Sequence, residues 1–471
     1  MGTGSTSTNS IAQITASDCL ALFKSKDLSP VEVVKDCLAR IDTENAVFNA
    51  FCFVDFDGAL SAAQMSEERW LRGAPVGPLD GVPTTLKDLT LSRGMPTRRG
   101  SATTTCDGPW TIDSAIASRL REAGAVFLGK TNCPEFGWKG LGDSPLYGIT
   151  RNPWRSDLTP GGSSSGAAVA ASLNLGFLHQ GSDAGGSIRI PASFTGTYGF
   201  KPTFGHVPQW PASVLPTLSH LGPITRTVAD ALLMMNVISG NDPRDGHAGP
   251  RHQYRRDVSH TIKGMRIAFS PTLGYASVAD DIATVVANAV EYLAEMGADV
   301  TEVDPGFSDP IDVMETLVFA GFARILRTLN GSQIALLDPG FLKAAERGLS
   351  LSLPNYQDAQ EARANLKARM NEFHEKFELL ITPTVPIAPF EAGKDVPDPR
   401  YEKWTDWSPF TYPFNLTQQP AASLPAGLDT SGLPVGLQIV GAQFADSTVL
   451  AVSQLLEKQL GLLAPPNNAA K

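Results

Sequence analysis

Apolar positions along the chain switch repeatedly between the three-to-four spacing of a helix and short continuous runs of strand type. Residues 30–41 open with Ser29, Pro30 and Glu32 and then place Val33, Val34, Cys37, Leu38 and Ile41 on one face, which predicts a capped amphipathic helix. An apolar strand is expected at 50–54 and a second helix at 59–71, ending before Gly73. The β-prone run 82–86 delivers a lysine, Lys87, at its end. Further helices are predicted at 114–123, 166–174, 227–237, 280–295 and 447–460. Strands are predicted at 125–128, with 129–132 as the loop leaving it, and at 177–179, 265–269, 299–303, 379–382 and 435–440. Alternation of this kind predicts an α/β fold, a single large mixed, mostly parallel β-sheet surrounded by α-helices.

Breaks in the pattern set the domain organisation. Residues 1–15 are expected to be a flexible Gly/Ser/Thr-rich tail and 16–465 one continuous domain, with 241–260 as a polar linker inside it. From 310 to 377 the pattern is mainly helical, and 388–407 is a long polar loop with proline and tryptophan. The region 310–410 is therefore the expected pocket wall. No internal repeat is visible.

Composition narrows the class. With 42% hydrophobic and 18% charged residues in 471, the chain is globular and can bury a large core. A net charge of −10 with no basic run argues against nucleic acid as a direct partner. Five widely spaced cysteines without a CxxC pair disfavour zinc and disulfide frameworks, so a reducing cytoplasm is the expected setting. Neither a signal peptide nor a membrane span is expected. Met1-Gly2 followed by Thr6 fits the loose myristoylation pattern, although a flexible tail explains the same residues.

Candidate chemistry concentrates in two small-residue turns, Gly161-Gly162-Ser163-Ser164-Ser165-Gly166 and Ala184-Gly185-Gly186-Ser187. Both present serine, and glycine pairs allow the close backbone approach that an oxyanion-binding turn requires. Residues 124–131 satisfy GxxxxGK[ST] letter for letter. Ala125, Val126, Phe127 and Leu128 are nevertheless strand core, and Lys130 follows a strand instead of opening a helix, which argues against a phosphate loop. None of the seven histidines has the neighbourhood of a catalytic base, and no lysine has serine three residues before it. A lysine base used differently remains. It needs a pKa lowered by roughly three units, as burial beside neutral hydroxyls provides. Lys87 fits that role; a surface salt bridge with Asp88 is the alternative use of the same residue.

These motifs together carry a resemblance. The two turns, Gly81-Val82-Pro83 with Lys87-Asp88, Gly129-Lys130-Thr131-Asn132, Pro413-Phe414-Asn415-Leu416-Thr417 and the 432–441 segment resemble the amidase signature family in order and spacing, over about residues 20–460. The resemblance implies a Ser–cis-Ser–Lys triad, with Ser187 as nucleophile, Ser163 as the bridging serine after a cis peptide and Lys87 as neutral base. The separation of 24 positions from Ser163 to Ser187 matches the family interval and selects Ser163 over Ser164 and Ser165. It further implies an oxyanion hole of the Ala184, Gly185, Gly186 and Ser187 N–H groups, with Asp183, Arg189 and Ser164 supporting. Ser165 stands where the family usually has glycine, and Ala184 where threonine is frequent.

The implied activity is hydrolysis of the C–N bond of a small carboxamide, aryl or alkyl, with anilides and carbamates (aryl acylamidase-like or urethanase-like chemistry) in the same class. It proceeds through a seryl acyl-enzyme with no cofactor and no metal. The alternative is the A-type glutaminase component of a tRNA-dependent amidotransferase, which works with partner chains. A small-molecule amide is the expected partner, with no membrane, in a monomer or homodimer. Trp138, Trp154, Trp210, Trp404 and Trp407 are candidates for an aromatic pocket lining.

Overall fold

The computed structural model describes residues 11–250, 252–254 and 262–466. The first ten residues of the expected tail, with the Met1-Gly2 pattern, and the end of the polar linker with His260 lie outside the described residues. Ile11–Gln13 forms one 3-10 turn. Thr15 and Asp18 cap the helix Ala16–Ser25 reciprocally, a start signal that the sequence reading passed over. The helix Pro30–Phe48 begins as expected: Ser29 Oγ accepts from Val31 N–H at 2.9 Å, and Glu32 accepts from Ser29 N–H at 2.8 Å.

The strands are β1 (Phe51–Val54), β2 (Pro83–Lys87), β3 (Val126–Thr131), β4 (Asp143–Ser144), β5 (Gly148–Ile149), β6 (Leu178–Asp183), β7 (Tyr198–Lys201), β8 (His220–Thr225), β9 (Arg266–Phe269), β10 (Asp299–Glu302), β11 (Leu379–Pro383), β12 (Ala421–Leu428) and β13 (Pro434–Gly441). Eleven of them form one sheet in the order β1-β3-β2-β6-β8-β7-β12-β13-β11-β9-β10, while β4 and β5 pair separately. Helices surround this sheet, so the expected large mixed sheet is present.

Its balance differs from the expectation of mostly parallel pairing. Only β3-β2-β6 and β11-β9-β10 run parallel. The other pairs are antiparallel. The reason is connectivity. No helix lies between β7 and β8, so β8 returns between β6 and β7, and β12 and β13 form a hairpin. The strand β8, which carries Gly222 and Pro223, was not among the expected strands, although Pro223 sits in register with Gln180. Residues 129–131, expected as loop, complete β3.

Val82, Leu86, Leu178, Ile267, Ile381, Leu437 and Ile439 are fully buried in the main core. A second apolar cluster gathers Met314, Leu317, Phe322, Phe341 and Tyr412 around the helices Ile311–Leu326 and Pro339–Leu349, inside the expected pocket-wall region. Lys87 ends β2 and Asp183 ends β6, so both expected site segments emerge at the carboxyl ends of adjacent parallel strands, where ligands bind in open α/β sheets.

Ile439 is wholly buried, opposite Ile381 on one side and Ala422 on the other. Ile439→Ala is expected to destabilise the fold by about 2–5 kcal/mol, read as a lower urea midpoint, and a loss under about 1 kcal/mol would contradict this packing.

Candidate active site

Lys87 is fully buried, and the alternation of β2 directs its amine toward hydroxyls from two other elements. Its Nζ lies within hydrogen-bond distance of three hydroxyls, 2.8 Å from Ser163 Oγ, 3.0 Å from Ser164 Oγ and 3.0 Å from Ser182 Oγ. Among the described residues, no carboxylate lies within salt-bridge distance of the amine. Burial pushes the Lys87 pKa down to about 8, against smaller upward contributions from Cys133 and Asp183. The alternative pairing with Asp88 is therefore not formed. Asp88 instead accepts from Arg98 and Gly100 N–H groups, both at 2.9 Å.

Ser163 and Ser164 precede the buried helix Ser165–Ser172, and the Gly162–Ser163 peptide is cis. Ser164 ties the two serine turns together: its N–H donates to Ser187 O at 3.1 Å, and its Oγ donates to Ser182 O at 3.2 Å. Ser165, the departure from the family pattern, turns its hydroxyl to Asn132 O at 3.2 Å and so stays out of the lysine cluster.

The second turn is braced by a buried ion pair. Arg189 and Asp183 are both fully buried and meet through Nε to Oδ2 at 2.9 Å and Nη2 to Oδ1 at 3.0 Å. Burial alone would raise the Asp183 carboxyl. The Arg189 charge and hydrogen bonds, with smaller contributions from Lys201 and Asn415, overcome it and hold the group well below the usual carboxylate range. Arg189 also donates to Thr411 O, Gln438 Oε1 and Asn415 Oδ1 at 2.7–2.8 Å, linking the C-terminal motifs to the turn.

Of the four expected oxyanion donors, Gly186 is already engaged, because its N–H donates to Asp183 Oδ1 at 2.7 Å. None of the described residues accepts from the N–H groups of Ala184, Gly185 or Ser187. Thr411 Oγ1 holds Gly185 O at 2.7 Å. The wall beside the turn is apolar. A Cβ on Gly185 would lie 2.8 Å from Met314 Cε, 3.9 Å from the Trp404 ring and 4.0 Å from Tyr412 Cβ.

Of the five candidate tryptophans, Trp138 and Trp404 border a 450 Å³ cavity with Phe319, whereas Trp154 and Trp407 are core. Trp210 lines a separate 160 Å³ cavity that includes Ser182 and Phe136. The loop carrying Trp404 is anchored by Glu315 to Lys403 at 2.6 Å and by Lys139 to Asp395 at 2.8 Å.

A model of the amidase family matches residues 32–450. The chain belongs to the amidase family. It is 35% identical to an acylamidase of Rhodococcus erythropolis over 94% of this chain and 95% of that one. It is 32% identical to the A-type component of the glutamyl-tRNA(Gln) amidotransferase of Chloroflexus aggregans over 94% and 96%. A crystal structure of a bacterial aryl acylamidase of the amidase signature family superimposes with a TM-score of 0.90 at 31% identity, covering 96% and 97% of the two chains. The chain is thus an amidohydrolase acting on amide C–N bonds.

Sequence reasoning missed four contributors to the site of this amidase: Ser182, Thr411, Asn415 and Gln438. Two of them, Asn415 and Gln438, sit in motifs quoted for the resemblance as a whole. The strand-like P-loop match is resolved as well, because Lys130 is buried and donates to Thr90 O and to Thr97 Oγ1, the latter at 3.0 Å. Among the described residues, no group of three His, Cys, Asp or Glu is placed to hold a metal ion, and no helix is long and apolar enough to cross a membrane.

Gly186 has φ +128°, and a Cβ there would meet Thr411 Oγ1 at 2.3 Å, whereas at Gly185 the nearest obstacle is the flexible end of Met314. Gly186→Ala is expected to lower kcat by roughly 10²-fold or more, and Gly185→Ala by far less, in steady-state assays of the two variants. Equal effects would contradict the turn geometry.

Proposed function

We propose that this amidase hydrolyses small carboxamides bearing an aromatic group, with Ser187 as nucleophile, Ser163 as proton relay and Lys87 as neutral base. The observation that carries the reading is the Lys87 amine, buried among three serine hydroxyls with no carboxylate partner among the described residues. A neutral amine offers two N–H donors and one lone pair. The Ser164 hydrogen is committed to Ser182 O, so Ser164 receives a lysine N–H. With Ser182 receiving the other, the lone pair faces Ser163, the shortest of the three contacts.

Lys87 then takes a proton from Ser163, Ser163 takes one from Ser187, and Ser187 attacks the amide carbonyl. The N–H groups of Ala184, Gly185 and Ser187 stabilise the developing oxyanion, each contributing about 3–4 kcal/mol by analogy with other oxyanion holes. Gly186 is omitted because Asp183 holds its N–H. The same relay protonates the leaving amine, and water hydrolyses the acyl-enzyme.

Likeness to acylamidases and the apolar wall of Met314, Trp404 and Tyr412 support anilide-type substrates, with carbamates as near chemistry. The region 310–410 supplies Met314 and Trp404 of that wall, with Tyr412 just beyond it, and is the proposed determinant of substrate choice within one domain, 16–465. Five free cysteines fit a cytoplasmic setting, as a monomer or homodimer. The amidotransferase relatives motivate a second reading, a glutaminase dependent on partner chains.

An assay of the isolated chain on p-nitroanilides, aliphatic amides, esters and carbamates separates the two readings. Turnover of an anilide, abolished in Ser187→Ala and Lys87→Ala, is the expected result. Glutaminase activity appearing only with added partner chains would establish the second reading instead.

The base must be unprotonated, so activity follows the neutral fraction of Lys87, which grows as pH rises through about 8. The kcat/KM profile is expected to climb from pH 6 to a plateau above 9 with its midpoint near 8. A flat profile over that range would contradict the assignment.

A further inference from the structure

The peptide joining Asp183 to Ala184 is held from the back by two side chains. His220 Nδ1 lies 3.2 Å from Asp183 O and 2.7 Å from Leu218 O. Both neighbours are carbonyl oxygens, which only accept, so Nδ1 carries the ring proton and donates. Asn415 Nδ2 donates to the same Asp183 O at 3.0 Å. Antiparallel pairing of β6 with β8 sets His220 opposite Asp183, which brings the ring to that carbonyl.

A trans peptide is planar, with C=O and N–H pointing in opposite directions. Fixing the Asp183 carbonyl therefore fixes the direction of the Ala184 N–H, one of the three unengaged donors of the turn. The peptide between Gly186 and Ser187 is anchored in the same way, since Ile190 N–H donates to Gly186 O at 2.7 Å and leaves the Ser187 N–H facing away from that bond. The geometry points to His220 as a positioning residue that aims the Ala184 N–H at the reacting oxyanion, through the backbone and without touching substrate. The inference rests on the catalytic reading of Ser187.

The ring suits this task. His220 is 3% exposed, and its Nε2 has no hydrogen-bond partner among the described residues. Burial holds the imidazole well below its ordinary pKa, so one neutral tautomer persists across the working pH range. Phe204 packs edge-on against it with centroids 5.5 Å apart, which limits ring rotation. Asp183 is already an ion-pair partner of Arg189 through its side chain. His220 acts on its main chain, a different atom with a different consequence.

The test compares His220→Asn with His220→Gln. The asparagine amide nitrogen falls at the Nδ1 position and keeps the donor, whereas the glutamine nitrogen falls one bond further out and loses it. His220→Asn is expected to retain kcat within about threefold, and His220→Gln to lose roughly tenfold or more, below the 10²–10³-fold cost of deleting a donor because Asn415 still holds the carbonyl. KM stays near wild type in both. Inhibition by phenylboronic acid, which forms a tetrahedral adduct on a nucleophilic serine, weakens in parallel with kcat only in His220→Gln.

Equal kcat in the two variants, or a fall in kcat without weaker boronate inhibition, overturns the inference. If His220→Gln does not fold, His220→Asn decides alone: retained kcat with retained boronate inhibition supports the role, and lost kcat at a wild-type unfolding temperature overturns it. Ser187→Ala separates the two levels. Its inactivity upholds the catalytic reading while the His220 variants are judged, whereas activity in Ser187→Ala removes that reading and this inference with it.

Discussion

A lysine amine removed from water, without an anion beside it, is the constraint around which the rest of this site is arranged. Taking an ammonium group into a poorly polarisable interior favours its neutral form, and the three hydroxyls around Lys87 satisfy that form without restoring the charge. The hydroxyls come from the turn before the helix Ser165–Ser172 and from β6, so the amine is satisfied only when β2, that turn and β6 are packed together. Lowered pKa alone does not single out this residue. Burial brings Lys130 to about 8 as well and holds Lys201 well below its ordinary value. Those two amines, however, donate to backbone carbonyls, Lys130 to Thr90 and Lys201 to Gln419 and Pro202, and carbonyls have no proton to give. Of the three, Lys87 alone is surrounded entirely by groups that can both accept and release one.

A buried ion pair sets the geometry that this amine requires. Asp183 and Arg189 meet in the interior, where removing one partner would leave an uncompensated charge and cost about 3–5 kcal/mol. Their remaining hydrogen-bonding capacity reaches outward. Asp183 takes the N–H groups of Gly186 and Ile188, and Arg189 reaches Thr411, Asn415 and Gln438. The C-terminal third of the chain thereby fixes a turn that lies far upstream in the sequence. The aromatic wall next to the turn is supported separately, by Glu315 and Lys139 on the Trp404 loop.

The serine turns, Lys87 and the ion-pair residues were legible in the sequence because short glycine and serine motifs announce close backbone approach, and because a lysine closing an apolar strand is oddly placed. What escaped the reading depends on sheet register. Successive strand residues face opposite sides, so Asp183 reaches Arg189 while its neighbour Ser182 reaches Lys87, and only the pairing of β6 with β2 determines which side is which. The antiparallel share of the sheet was hidden for a related reason. Gly222 and Pro223 mark β8 as a turn in local terms, and its place between β6 and β7 is a tertiary fact. The occupied N–H of Gly186 was equally invisible, since it follows from the rotation of one carboxylate.

The proposed base role requires Lys87 to be an uncharged amine when the enzyme works. Nitrogen-15 NMR of protein labelled at the lysine side-chain nitrogen, with the Lys87 signal assigned by its loss in Lys87→Arg, reads that state directly. The prediction is titration with a midpoint near 8, well below an exposed lysine. A Lys87 signal that remains that of an ammonium up to about pH 10, the range of an exposed lysine, would contradict the neutral-base assignment.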